Sequence, residues 1–140
     1  MLPFMSNAPF SGEEAQLKDV IFVYLSKLMS YCCQLRFNHW QTTSFAEHKM
    51  TDGLMEDLTD QIDKLGEMTL GAFGRPQFQT VTYNICDNAV CGAKHVLDTM
   101  EKETKALIDL LSVTAFEDIK NTLADILALV NKNKYLSTLE

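Results

Sequence analysis

Residues 37–67 read FNHWQTTSFAEHKMTDGLMEDLTDQIDKLGE, and this stretch decides the fold. It holds the predicted junction between two helices, of which one ends near Thr42 and the next begins at Phe45. Ser44 stands three residues before Glu47, which predicts a capping box at the start of the second helix. Apolar residues then recur at the three- and four-residue steps of an α-helix, at Leu54, Leu58, Ile62 and Leu65.

The same period outside this stretch predicts three more helices. We expect the four helices to cover residues 12–42, 45–70, 88–111 and 115–133. Ser11 with Glu14, and Thr114 with Glu117, predict further capping boxes at the first and last helices.

The segment between the second and third helices has the features of a connection. Gly71 and Gly74, with Pro76 just beyond, are expected to end the second helix. Residues 75–87 alternate only loosely in hydropathy, so a connection between two helix pairs is favoured over a short strand.

The composition predicts one all-α domain. The chain has 140 residues, of which 46% are hydrophobic, enough for a core. We expect a four-helix bundle over residues 12–133, with short tails at 1–11 and 134–140.

No apolar run approaches the roughly 18 residues that span a membrane. Residues 1–10 carry no Lys or Arg, so no secretion signal is predicted and a cytoplasmic location is expected.

The charge balance argues against nucleic acid as a ligand. The formal net charge is −7, and the 12 Lys and Arg residues are scattered without a basic block. Nucleic-acid binding depends on cationic groups that meet phosphates. An acidic balance suits cations instead.

The second predicted helix carries a stripe of candidate metal ligands. His48 and Asp52 are four residues apart, and so are Asp63 and Glu67, so each couple shares one helix face. At about 100° per residue, all four lie in a stripe little more than a quarter-turn wide. Carboxylate oxygens together with imidazole nitrogen suit Fe(II), with Zn and Mn as competitors.

The two couples are too far apart to bind one ion. At about 1.5 Å per residue they lie roughly 22 Å apart along the helix. A second copy of the helix, antiparallel across a two-fold axis, removes this difficulty. Pairing about the point between Asp57 and Leu58 places the two couples of one chain opposite those of the other. We therefore expect a homodimer with two equivalent shared sites, to which His39 adds a ligand.

These residues resemble the Dps family, the mini-ferritins known as DNA-binding proteins from starved cells. The resemblance lies in His39-Trp40, His48-x-x-x-Asp52, Asp63-x-x-x-Glu67 and the MTDGL sequence of residues 50–54. It implies a ferritin-like bundle in which His39, His48 and Asp52 come from one subunit. The two acidic ligands of the later motif would come from its two-fold mate.

The resemblance also implies an activity. It predicts a ferroxidase that oxidises Fe(II) with hydrogen peroxide or oxygen and holds ferric iron inside a hollow dodecamer. Trp40 is expected to pack beside the site, as an apolar wall and an electron donor. The alternative left open is a non-catalytic Dps-like protein that binds a metal such as Zn or is structural.

The acidic residues of this helix could also be ordinary solvent-exposed side chains. Asp63 and Glu67 are alternatively a solvated face that pairs with Lys64 or Lys49. Solvated positions are expected for Glu56, Asp57 and Asp60.

The four cysteines are interpreted as reduced thiols, mostly buried. They are Cys32, Cys33, Cys86 and Cys91. Cys86, Cys91 and His95 form a C-x4-C-x3-H pattern, which matches no strong zinc signature and whose role stays open.

Overall fold

The structure, a computed structural model, describes residues 12–78, 80–112 and 114–139. It contains four α-helices: α1 (Gly12–Gln41), α2 (Phe45–Phe73), α3 (Ala93–Leu111) and α4 (Glu117–Leu136). No strand occurs among the described residues, and the helices pack around one apolar core. The predicted all-α four-helix bundle is therefore confirmed.

The helices form a ring in the order α1, α2, α4, α3. α1 packs against α2 and α3, and α4 packs against the same two helices. α1 and α3 are antiparallel, because Tyr24 contacts Thr104 whereas Gln34, further along α1, contacts Cys91 just before α3. The other neighbouring pairs are also antiparallel. The diagonal helices α2 and α3 consequently run parallel.

One long connection joins these parallel helices. α2 ends at Phe73, at the end of the bundle where α4 begins, whereas α3 begins at the opposite end, beside Asn38 of α1. The connection, described over residues 74–78 and 80–92, therefore runs the length of the bundle. On the way, Phe78 packs edge-on against Phe22 of α1, with ring centroids 5.8 Å apart.

The start of α3 corrects the prediction, which placed it at residue 88. Residues 88–91 form a turn instead, because the Asp87 carbonyl accepts hydrogen bonds from the N–H groups of Val90 and Cys91, both at 2.9 Å. Gly92 then caps the helix, which begins at Ala93.

The end of α2 and both ends of α4 also differ from prediction. α2 continues through Gly71 to Phe73 and stops at Gly74, whose φ of 79° is the left-handed conformation that glycine tolerates. The Gly74 N–H donates to the Leu70 carbonyl at 2.8 Å. α4 begins at Glu117 rather than residue 115, and it continues to Leu136, beyond the predicted end at residue 133.

Of the predicted capping boxes, the one at α2 is present in part, because the Ser44 N–H donates to Thr42 Oγ1 instead of to Glu47. The Ser44 hydroxyl accepts a hydrogen bond from the Glu47 N–H at 3.2 Å. At α4 the prediction is wrong, because the Thr114 hydroxyl donates to the Leu111 carbonyl at 2.7 Å instead of capping the helix. The predicted box at Ser11 lies outside the described residues.

The core is apolar with a few satisfied polar groups. Every helix contributes fully buried leucines, among them Leu28, Leu58, Leu97 and Leu123. The buried Tyr24 hydroxyl lies 2.7 Å from Oγ1 of Thr104, and burial raises the pKa of Tyr24. Within the described ranges, no helix combines the length and apolarity needed to cross a membrane.

Candidate metal centre

His39 and His48 face each other across the junction of α1 and α2. Their rings stack with centroids 3.9 Å apart and planes inclined by 18°. Nδ1 of His39 lies 2.9 Å from the carbonyl oxygen of His48, and Nδ1 of His48 lies 3.2 Å from the carbonyl oxygen of His39. The two histidines are thus held by a reciprocal pair of contacts.

This reciprocity fixes the tautomer of both rings. A carbonyl oxygen only accepts hydrogen bonds, so Nδ1 must carry the proton in each ring. Thr51 supports His39 further, since its Oγ1 lies 3.0 Å from the His39 Nδ1 while the hydroxyl donates to the Glu47 carbonyl at 2.8 Å. In the neutral rings the lone pair of Nε2 is therefore available to a metal. Backbone or carboxylate contacts of this kind orient metal-binding histidines in general.

A tight turn brings the two histidines together. Only residues 42–44 separate α1 from α2, and the Ser44 N–H donates to Oγ1 of Thr42 at 3.1 Å within that turn. Because the helices are antiparallel, the last turn of α1 lies beside the first turn of α2. His39 is half-buried there, and His48 is exposed.

The three acidic candidates lie on one continuous helix. Asp52, Asp63 and Glu67 are all exposed on α2, and Asp52 follows His48 by one turn. In the described part of the chain, none of the three forms an ion pair. Asp63 and Glu67 lie beyond the reach of the histidines, because the eleven residues from Asp52 to Asp63 span roughly 16 Å of helix.

No complete metal site forms within one chain. Across residues 12–78, 80–112 and 114–139, no three His, Cys, Asp or Glu side chains converge on a point that could hold an ion. The structure therefore brings His39 and His48 together, does not join Asp52 to them in a three-ligand group, and keeps the Asp63 couple apart. The other acidic residues in question, Glu56, Asp57 and Asp60, are exposed as predicted.

Exposed apolar side chains lie at the ends of α1 and α2 that meet at the histidine pair. Trp40 is 66% exposed and packs edge-on against Phe37, with centroids 5.3 Å apart. Phe45, the first residue of α2, is 73% exposed. Trp40 was expected to be a packing residue; it packs against Phe37, but about two thirds of its surface is exposed. Phe37, Trp40 and Phe45 are together called the apolar rim.

A groove continues from this rim along the α1–α2 face. Its volume is about 450 Å³, and its lining includes Arg36, Phe37, Asp52, Met55 and Glu56. Cys32 and Cys33 also line it. Burial, followed by the neighbouring Cys33 thiol, raises the pKa of Cys32 to about 11, while Arg36 lowers it.

Sequence reasoning missed a second set of polar residues on α1. Gln34, Asn38 and Gln41 lie on one helix face, at spacings of four and three, and all three bind residues 86–91. The spacing itself was the available signal. The four cysteines are free and half-buried, rather than mostly buried as predicted.

Comparisons with known proteins place the chain in a family. A family model described as "Family of unknown function (DUF5856)" matches residues 39–136, a range that contains all five predicted ligands. The chain is also similar to an Enterobacteria phage T4 protein described as an "Uncharacterized 14.6 kDa protein in mobD-ri intergenic region". The two are 33% identical over 119 residues, which cover 84% of this chain and 87% of the phage protein. No solved structure matches. The chain belongs to the DUF5856 family.

Proposed function

We propose that the protein binds Fe(II) at sites shared between two subunits and oxidises it with hydrogen peroxide or oxygen. The observation that carries this proposal is the reciprocal contact of His39 with His48. It holds both Nδ1 atoms on main-chain carbonyls and leaves both Nε2 atoms for a metal.

The donor set agrees with iron. Imidazole nitrogen and carboxylate oxygen, with open positions for an oxidant, are the ligands of non-haem Fe(II) sites. Asp52 stands one turn beyond His48 and is exposed on the same stripe of α2. Its carboxylate favours the harder and more highly charged Fe(III), so oxidation strengthens binding.

A second subunit would complete the coordination. The Asp63 couple lies on the same stripe but too far along α2 to reach its own histidines. Antiparallel pairing of two α2 helices about Asp57 and Leu58 would bring this couple to the partner's His48. The pairing would also cover the apolar rim, whose exposed aromatic side chains are typical of surfaces that bind a protein.

The topology supports a ferritin-like interpretation of the bundle. A bundle with one long crossover between two antiparallel helix pairs is the arrangement of ferritin-like folds. Residues 74–92 make such a crossover. The resemblance to the Dps family extends the proposal to a hollow dodecamer that holds the ferric product, acting in the cytoplasm.

The reaction needs two electrons for each peroxide. Two Fe(II) ions, supplied as substrate, each give up one electron, and the peroxide takes both with two protons to yield two molecules of water. The role of the protein is to hold the ions with charged oxygen ligands and to keep the ferric product bound.

The test is Fe(II) loading without oxygen, followed by hydrogen peroxide. We expect rapid oxidation to protein-bound ferric iron, lost in Asp63→Ala. Asp125→Ala is the matched control, because it removes an exposed carboxylate of α4, away from the α1–α2 face. Tight Zn(II) or Co(II) binding without faster Fe(II) oxidation would favour the metal-binding alternative, which the same histidine geometry serves. No metal binding at all would contradict both.

A further inference from the structure

The turn before α3 is bound by α1 through three amide side chains. Gln34 accepts a hydrogen bond from the Cys86 N–H at 2.8 Å. Asn38 donates to the Cys91 carbonyl at 2.8 Å. Gln41 accepts from the Asn88 N–H at 2.7 Å. Residues 86–91, named here the cysteine turn, are thus fixed to a rigid helix at both ends and in the middle.

The side-chain nitrogen Nε2 of Gln34 contacts the main chains of both cysteines. It donates to the Cys86 carbonyl at 2.9 Å and lies 3.4 Å from the Cys91 carbonyl. The Cys91 N–H closes the turn on the Asp87 carbonyl at 2.9 Å. The two cysteines are thus brought to one side of Gln34, and the Cys86 thiol is the first cause that raises the pKa of Cys91.

The thiols remain accessible although the turn is fixed. Both cysteines are half-buried and free. All the contacts that hold the turn go to main-chain atoms or to Asp87 and Asn88, and none uses a sulfur atom. A disulfide between the two cysteines would therefore break none of the hydrogen bonds that join the turn to α1.

We propose that Cys86 and Cys91 form a dithiol that is oxidised reversibly to a disulfide by exchange with small-molecule disulfides. Whether two cysteines can form a disulfide depends on the distance between them and on the orientation of their side chains. The proposal does not rest on iron oxidation.

The exchange balances in two steps. One cysteine thiolate attacks a sulfur of the small disulfide, which forms a mixed disulfide and expels one thiolate. The second cysteine then attacks the protein sulfur of the mixed disulfide and expels the other thiolate. The cysteines are oxidised by two electrons, the small disulfide is reduced to two thiols, and the two cysteine protons pass to the leaving groups.

The other cysteines provide the internal control. Cys32 and Cys33 are consecutive residues within α1, so their side chains diverge around the helix. They line the groove on the α1–α2 face rather than the cysteine turn. We expect them to stay reduced, or to form mixed disulfides, under conditions that oxidise the cysteine turn.

The experiment equilibrates the full chain with reduced and oxidised glutathione at a series of ratios. Free thiols are trapped with an alkylating agent, and the linkage is read by peptide mass mapping. The same titration is run in denaturant. The prearranged thiols should make the Cys86–Cys91 disulfide roughly tenfold or more favourable in the folded chain than in the unfolded chain. Equal ratios in the two states, or only mixed disulfides in the folded chain, would overturn the proposal.

Two variants test the cause. Gln34→Ala should reduce the advantage of the folded state, whereas Gln16→Ala, an exposed glutamine of the same helix, should leave it unchanged. If Gln34→Ala fails to fold, Gln41→Ala takes its place. Gln41 is exposed, so this variant keeps the buried amides of Gln34 and Asn38, and it too should reduce the advantage of the folded state. An undiminished advantage in the folded variants would contradict the role given to α1.

Discussion

The ring of His39 contacts the main chain of His48, and the ring of His48 contacts the main chain of His39. In each contact the ring nitrogen Nδ1 lies within 3.2 Å of the other residue's carbonyl oxygen. The contact closes the junction of α1 and α2 and sets both rings parallel. It also ties the ligand geometry to the fold, since neither ring can turn without losing a hydrogen bond.

Thr51→Val should weaken metal binding without unfolding the protein. The substitution keeps the shape of the side chain but removes the oxygen 3.0 Å from the His39 Nδ1. Loss of such a supporting contact typically lowers metal affinity by about tenfold. Titration with Co(II), followed by its visible absorption, measures the effect. Thr59→Val is the control, because Thr59 makes the same hydrogen bond along α2 without touching a histidine; equal effects of the two variants would speak against the supporting role.

Trp40 should report metal binding by fluorescence. It is the chain's one tryptophan, it follows His39 directly, and it is largely exposed. Co(II) bound at the histidine pair is expected to quench its emission with the stoichiometry of the site. The quenching should be absent in His48→Ala. Undiminished quenching in that variant would mean that the ion binds elsewhere.

Tyr24→Phe should destabilise the bundle through one buried hydrogen bond. The variant leaves the Thr104 hydroxyl without its partner across α1 and α3. The expected loss is about 1 kcal/mol in the free energy of unfolding. Urea denaturation measures it, with Tyr135→Phe as the control at a position 63% exposed. A loss no larger than in the control would show that the contact contributes little.

Cys32 should react slowly with alkylating agents near neutral pH. Burial is the largest cause that raises the pKa of Cys32 to about 11. Only the thiolate reacts, so the rate should continue to rise with pH up to that value. Since the folded-state pKa lies above the unfolded one, the stability tied to this thiol is complete below the ordinary thiol pKa and is lost as pH rises towards 11. Mass spectrometry of the labelled peptide gives the rate profile; a plateau near pH 9 would contradict the shift.

Local patterns predicted the helices but not all of their ends. The helical spacing around Leu58 and the cap at Ser44 depend on nearby residues, and both are present in the structure. The start of α3 depends on Gln34 and Asn38, which bind the cysteine turn from more than fifty residues away. No pattern near residue 88 contains that information.

The candidate site divides in the same way. The spacing of His48 and Asp52 on one stripe could be predicted, because four residues make about one helical turn. The stacking of His39 on His48 could not, since it depends on the path of the three-residue turn between α1 and α2. The partner's contribution stays a prediction, since each subunit would supply only part of the ligands of any one site.

The shared site is tested most directly by mixing two inactive variants. The first carries His48→Ala with Asp52→Ala, and the second carries Asp63→Ala with Glu67→Ala. Each alone should lack rapid Fe(II) oxidation, because every site in its own dimer is incomplete.

Refolding the two variants together in equal amounts should restore activity. Half of the dimers then pair one chain of each kind and regain one intact site, so about a quarter of the wild-type oxidation rate is expected. A mixture no more active than the separate variants, or full activity in either variant alone, would contradict the account.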